Sequence, residues 1–109
     1  MFSASLIVPL LLSLQLMANS ERNQFSSCLR TYVDAKIQDR TTPADFDTAY
    51  PTACAQQETA YRTAYIAAAR RAGDSMAVAQ RDAATEVEDL RTNFKELFHN
   101  ALQRSASGS

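Results

Sequence analysis

The side chain with the widest chemical use in this sequence is His99, the only histidine of the chain. His99 and Glu96 form an i, i+3 Glu–His pair, a spacing that carboxylate-bridged di-iron bundles use to bind metal. Such a centre needs a second pair and two further Glu residues from other helices, and the sequence does not supply them. We therefore expect His99 to lie on the surface, and we predict no metal ion and no cofactor.

Three carboxylates share one face of the last predicted helix, at Asp82, Glu86 and Asp89. Carboxylate oxygens are the ligands of hard cations, but one helix offers few of them to the same ion. A solvated acidic face is therefore the better interpretation. The sequence also contains no Gly-rich phosphate loop, no Ser/His/Asp set and no nucleophile elbow, and we predict no catalytic residue.

The two cysteines, Cys28 and Cys54, are predicted to form a structural disulfide. If the chain turns near Thr41 between two antiparallel helices, the cysteines lie equal numbers of residues from the turn and reach the same level. Both also lie on the apolar stripes of their helices, which suits the short Cα–Cα distance of a disulfide. The alternative is a pair of buried free thiols. No Cys-x-x-Cys motif is present, which argues against a redox site.

The first 20 residues differ from the rest of the chain. Residues 6–18 are an apolar run of the length of a signal-peptide core, and they fall short of the roughly 20 apolar residues of a membrane-spanning helix. Ala18 and Ser20 provide small residues for a cut before Glu21, with a cut after Ala18 as the alternative. We predict a signal peptide at 1–20 and a secreted or periplasmic protein. If the run is retained, it becomes a membrane anchor.

Charge composition excludes one class of partner. The chain carries 11 basic and 12 acidic residues, and the two signs are mixed along its length. Nucleic acid requires a positive patch or stripe, so we predict no nucleic-acid binding. A domain this small buries only about 60–65 % of its unfolded surface, so a disulfide would matter for its stability.

Apolar periodicity predicts three helices in a single domain, residues 21–103. The first covers about 22–40 and the second covers 43–72, where Thr42 and Pro43 are helix-start signals. Pro51 lies inside the second helix, which predicts a kink or a break into two helices there. The third covers 75–103 and has a coiled-coil-like seam with apolar residues at intervals of four and three. Residues 104–109 are rich in Ser, Ala and Gly, and we predict a disordered tail.

A turn at Gly73 joins the second and third helices. Arg70 and Arg71 stand in the last turn before it, where their charges compensate the helix dipole. Asp74 or Ser75 can cap the next helix. Alanine is frequent on both sides, and small residues let two helices approach closely.

The expected architecture is an all-α, antiparallel three-helix bundle. All Phe residues after the leader fall at one end, whereas the first helix is too short to reach the Gly73 end. That end, the tip, is then a bare two-helix hairpin. Not all of its larger side chains can face inward, so we predict an interaction surface there, made by Tyr61, Tyr65, Ile66 and Val78.

Several short sequence motifs support a resemblance to a known group of proteins. They are Cys28-Leu29, Ala44-Asp45-Phe46, Ala53-Cys54 before Glu58 and Tyr61-Arg62, and the Ala-rich hairpin with Asp74-Ser75. With these the chain resembles small exported proteins found in alphaproteobacterial genomes. The resemblance implies an exported helical domain with one Cys pair and implies no activity.

The function we expect is a non-catalytic interaction or structural module that binds a protein partner, or a second copy of itself, through the tip. One alternative is a periplasmic chaperone-like helical protein that holds unfolded clients. Another is a membrane-anchored helical protein, if the apolar residues 6–18 are not removed.

Overall fold

Helices make up almost the whole described chain. This computed structural model describes residues 2–107, with side chains from residue 13 onward. The elements in order are α1 (Phe2–Gln38), α2 (Pro43–Ala49), a 3₁₀ helix (Tyr50–Thr52), α3 (Ala55–Arg71) and α4 (Met76–Ser107). Since residues 2–107 contain no strand, the all-α prediction is confirmed.

The three long helices form an elongated bundle. α1 packs against both α3 and α4, which also pack against each other, and the molecule measures 67 × 23 × 21 Å. α1 and α3 are antiparallel, since Cys28 is bonded to Cys54 while Phe25 packs against the later residue Tyr61. α2 and the 3₁₀ helix bridge the C-terminal end of α1 to α3.

Local signals determine where the helices begin. Thr42 accepts a hydrogen bond on its Oγ1 from the Asp45 amide at 3.2 Å, and Pro43 is the first residue of α2. Ser75 accepts one on its Oγ from the Val78 amide at 3.1 Å. Both residues therefore cap helices by satisfying an amide that has no partner within the helix, as predicted.

The expected kink or break at Pro51 is a break. Pro51 lies in the 3₁₀ helix, where its missing N–H disrupts the α-helical ladder. Ala53 is then extended and Cys54 adopts a left-handed conformation with φ 59°, after which α3 begins at Ala55. The second predicted helix is thus two α-helices separated by the 3₁₀ helix. The short α2 lies at one end of the bundle, and α3 is one of its three long helices.

The core lies at the end away from Gly73. Its largest fully buried side chains are Phe25, Phe46, Phe98, Leu29 and Val33. The rings of Phe46 and Phe98 stack with their centroids 3.8 Å apart, which joins α2 to α4. Aromatic side chains bury large apolar areas, so this end is the most strongly packed part of the bundle.

The structure differs from the expectation at both chain ends. α1 begins at Phe2 and passes without interruption through residue 20, so α1 reaches the Gly73 end and the tip is not a bare hairpin. α4 continues to Ser107 rather than ending at residue 103, because no Gly or Pro precedes Gly108 to stop it. Residues 108 and 109 of the predicted disordered tail lie outside the described residues.

Two helix ends share a hydrogen-bond pattern but differ in the residue at the left-handed position. That residue is Arg40 after α1, with φ 55°, and Gly73 after α3, with φ 106°. In both turns the next amide donates to the carbonyl five residues earlier, at 3.1 and 3.0 Å. This is the Schellman motif, in which glycine is favoured.

Substitutions at these two positions should have opposite effects on stability. Arg40→Gly should raise the free energy of unfolding by a few tenths to about 1 kcal/mol, because glycine lacks the Cβ that disfavours this conformation. Gly73→Ala should lower it by about 1–2 kcal/mol. A Cβ at Gly73 would meet no heavy atom within 4 Å, so packing would not explain the loss. Urea unfolding measures both, and a stabilising Gly73→Ala would contradict the assignment.

Candidate functional site

The predicted disulfide is present. Cys28 and Cys54 are joined with an S–S distance of 2.08 Å and a Cα–Cα distance of 6.0 Å. Cys54 is the residue before α3 rather than part of a continuous helix, yet it reaches the level of Cys28, as the symmetry about Thr41 required. The bond therefore ties the break after Pro51 to the middle of α1.

Arg91 on α4 fills the polar side of that break. Its Nη2 donates to the Ala53 carbonyl at 2.7 Å and its Nη1 to the Tyr50 carbonyl at 3.2 Å. Its Nε donates to Glu58 Oε1 at 2.7 Å. The side chain is only 14 % exposed, and its guanidinium lies 5.2 Å from the centroid of the Phe25 ring. One cation thus supplies the donor that the Ala53 carbonyl lacks after the helix break. It also gives a second donor to the Tyr50 carbonyl, which accepts from the Ala53 amide at 2.9 Å.

Tyr50 adds a hydrogen bond in the reverse direction, from its side chain to the backbone of Arg91. Its hydroxyl donates to the backbone carbonyl of Arg91 at 2.6 Å, while the residue is 4 % exposed. Burial raises the pKa of Tyr50 to about 12, and the neighbouring Arg91 guanidinium opposes part of that rise. The hydrogen bond requires the neutral phenol, since a phenolate has no proton to donate.

Sequence reasoning missed the role of Arg91. Arg91 follows Leu90 on the predicted seam and looks like an ordinary surface cation. The available signal was the break itself, because a helix interrupted at Pro51 leaves carbonyls that need donors. The sequence contains several arginines that could donate these hydrogen bonds. The break therefore predicts that a donor is required but does not identify Arg91 as that donor.

His99 is half-buried rather than freely exposed. Its Nε2 lies 2.9 Å from Asp47 Oδ1, and its side chain is 33 % exposed. The ring meets Phe46 and Phe98 edge-on. Lys95 lies 4.0 Å from the same carboxylate oxygen. His99 therefore helps to attach α2 to α4, and the prediction of a surface histidine is corrected to a partly packed one.

The other acidic and basic candidates do not converge. Asp82 pairs with its neighbour Arg81 at 3.2 Å, and the Arg70 guanidinium donates to the Asp74 backbone carbonyl at 3.2 Å. Within residues 2–107 no group of three or more His, Cys, Asp or Glu side chains is arranged to hold a metal ion.

The four residues of the predicted interaction surface have different surroundings. Tyr61 is 3 % exposed and belongs to the core, with its ring 6.3 Å from that of Phe25. Tyr65, Ile66 and Val78 are half-buried. The expectation that Tyr61 is exposed is therefore wrong, because Phe25 of α1 packs against its ring, within the range already predicted for the first helix. Tyr65 packs edge-on against Tyr61, with centroids 6.2 Å apart.

A cleft runs along the tip where α1 crosses α3 and α4, and we call it the tip groove. It encloses about 490 Å³. Its walls are Gln15, Ala18, Asn19 and Arg22 of α1, Tyr61, Tyr65, Ala68, Ala69 and Ala72 of α3, and Asp74 and Glu86. The α1 side is made mostly by residues of the predicted leader.

The tip groove has a negative electrostatic character. Burial raises the pKa of Tyr65, and the carboxylates of Asp82, Glu86 and Asp74 raise it further. Burial followed by Glu86 raises the pKa of Tyr61, where Arg22 acts in the opposite direction. Negative charge near a phenol disfavours the phenolate, and the charged residues that line the groove are the acidic Asp74 and Glu86 and the basic Arg22.

The chain matches no protein-family model, no curated protein and no solved structure with which it was compared. In the described part of the chain, no helix is sufficiently long and apolar to cross a membrane.

Removal of the Arg91 side chain should destabilise the fold strongly. Arg91→Met keeps most of the apolar volume but removes the donor of the Ala53 carbonyl and the partner of Glu58 in a part-buried ion pair, so we expect a loss of about 3 kcal/mol in unfolding free energy. Arg62→Met is the matched control. Arg62 also pairs with Glu58, at 3.3 Å, but is 39 % exposed, and its loss should be about 0.5 kcal/mol or less. Urea unfolding of the oxidised proteins compares them, and similar losses would refute the assigned role of Arg91.

Stability should fall at alkaline pH. An unfolded tyrosine has a pKa of about 10, and that of Tyr50 is about 12 in the fold. Its contribution is therefore complete below pH 10 and is lost as the pH rises towards 12, by about 2–3 kcal/mol. Unfolding free energies measured across this range should show the decline. Tyr50→Phe should flatten it, and an unchanged slope in that variant would assign the decline to other groups.

Proposed function

We propose that this chain is an exported, disulfide-bonded helical module that binds a protein partner through the tip of the α3–α4 hairpin and performs no catalysis. The interface we assign consists of Tyr65, Ile66 and Val78, with Tyr61 as the buried support behind Tyr65. Tyrosine and aliphatic side chains on small-residue helices provide contact area with little loss of side-chain entropy.

Export is supported by two features of the chain. Residues 6–18 have the length and apolar character of a signal-peptide core, followed by small residues at Ala18 and Ser20. Cys28 and Cys54 form a disulfide, a bond that persists in oxidising compartments and is rare in the cytosol. Both features favour the periplasm or the cell exterior as its location.

The proposal rests on one observation, namely that the residues covering the tip belong to the predicted signal peptide. Ala18 is buried, and Gln15 and Asn19 line the tip groove opposite Tyr65 and Ala68. All three covering residues belong to the segment 1–20 that we expect to be removed. Cleavage before Glu21 would uncover Tyr65 and the adjacent alanines while the buried aromatic cluster, which begins at Phe25, stays intact.

A membrane-anchored protein is the second candidate. Leu16 is 68 % exposed and Met17 is 57 % exposed, so the leader turns apolar side chains away from the bundle as well as towards it. If residues 1–20 are retained, this outer face is available to lipid, and the tip groove stays covered.

The test combines the intact mass of the exported protein with site-specific crosslinking. A mass that begins at Glu21 or Asn19 is expected, and a retained leader would favour the anchor. A photoreactive residue at Ile66 or Val78 should then give at least tenfold more crosslinked partner than one at the exposed control Gln103, and Tyr65→Asp should abolish the difference. Equal crosslinking at all three positions would overturn the proposal. Light scattering shows whether the crosslinked partner is a second copy.

A further inference from the structure

The α3–α4 side of the tip groove is already covered by a helix, namely the leader part of α1, which forms the opposite wall. Leu14 and Ala18 lie four residues apart and continue the stripe that Phe25, Leu29 and Val33 form farther along α1. Ala18 is 9 % exposed, and Ala79 of α4 is fully buried. The groove therefore fits a helix that presents an aliphatic or small side chain once per turn.

The leader matches the groove in shape but not in charge. Asp74, Asp82 and Glu86 act on Tyr65 from the α3–α4 side. Of these, Asp82 is paired with Arg81. Residues 13–20 of α1 contain no Lys or Arg, and the leader residues that line the groove with Ala18 are the neutral Gln15 and Asn19. A helix with cations at such positions would gain electrostatic attraction that the leader lacks.

Arg22 shows how a cation is accommodated at the edge of this groove. Its side chain lines the groove together with Tyr61, and its charge opposes the effect of Glu86 on the pKa of that phenol. Arg22 lies one turn after Ala18 on the same face of α1. Leu14, Ala18 and Arg22 are thus aliphatic, small and basic residues at four-residue spacing. Leu14 is half-buried, and Ala18 and Arg22 line the groove.

We infer that the tip groove is a binding site for a basic amphipathic helix of another protein, and that the leader of this chain occupies the site until it is removed or displaced. This inference rests on the proposed function and adds the chemistry of the partner. The partner helix carries aliphatic or small residues at four-residue spacing on the face that meets Tyr65, Ala68 and Ala72. It carries Lys or Arg beside that face, opposite Asp74 and Glu86.

The experiment displaces the leader within the full chain. Ala18→Asp introduces a carboxylate at a buried position of the groove that Asp74 and Glu86 also line. It should release residues 1–20 from the α3–α4 side, because burial and like charge both disfavour it there. Met17→Asp is the matched control, since it adds the same charge one residue away at a position that is 57 % exposed. Leu14→Asp is a second release variant. Near-ultraviolet circular dichroism verifies that the aromatic core remains packed in each.

The probe is a synthetic helical peptide of about 18 residues, or five turns, with Leu and Ala at four-residue spacing and Lys elsewhere. A second peptide has Glu in place of every Lys. Fluorescence anisotropy should show at least tenfold tighter binding of the Lys peptide to Ala18→Asp and Leu14→Asp than to the unmodified chain or Met17→Asp. The Glu peptide should bind at least tenfold more weakly, and added salt should weaken the Lys peptide.

Three results of these experiments would contradict different parts of the inference. Equal binding to Ala18→Asp and Met17→Asp would overturn the role of the leader as an occupant. Equal binding of the Lys and Glu peptides would overturn the basic partner. Absence of peptide binding to both release variants, together with crosslinks confined to Ile66 and Val78, would overturn this inference while leaving the proposed function in place.

Discussion

The fold depends on how the break after Pro51 is stabilised. An interrupted helix leaves carbonyls without partners, and burial of such groups is unfavourable unless a donor reaches them. Arg91 supplies the donors, and it is held by Glu58 and by the backbone contact from Tyr50. Because the same break contains Cys54, the covalent link to α1 and the polar link to α4 meet at one place. The three long helices are aligned from this point.

The two ends of the bundle, on either side of the break, are packed in different ways. On one side of the break, α2 folds under the bundle and its Phe46 stacks on Phe98, so large aromatic side chains fill the space between three helices. On the other side, α3 and α4 approach through alanines, and Ala79 and Ala83 are almost fully buried. Small residues allow close approach of backbones but bury little area for each residue. The tip consequently depends on whatever third helix lies against it.

This asymmetry is the structural basis of the binding function that we propose. The charged side chains near the break are engaged in holding the fold, and His99 is held by Asp47 between aromatic rings. The tip, in contrast, combines half-buried Tyr65 with surrounding carboxylates, and residues 15, 18 and 19 of α1 cover it. In our proposal this surface recognises a partner by shape and charge after the covering helix has been removed or displaced.

The sequence by itself determined the helix starts at Thr42 and Ser75, the turn at Gly73 and the pairing of Cys28 with Cys54. Helix capping and the left-handed conformation of glycine depend on a few neighbouring residues, so the sequence is enough to predict them. The cysteine pairing follows from the constant rise per residue of a helix, since both cysteines are equally far from the turn at Thr41. Only the tertiary structure decided that α1 covers Tyr61 and that Arg91 serves the break. Those contacts join residues 33 to 41 positions apart. Which side chain reaches across such a separation depends on the level and rotation of whole helices, and no local pattern encodes that.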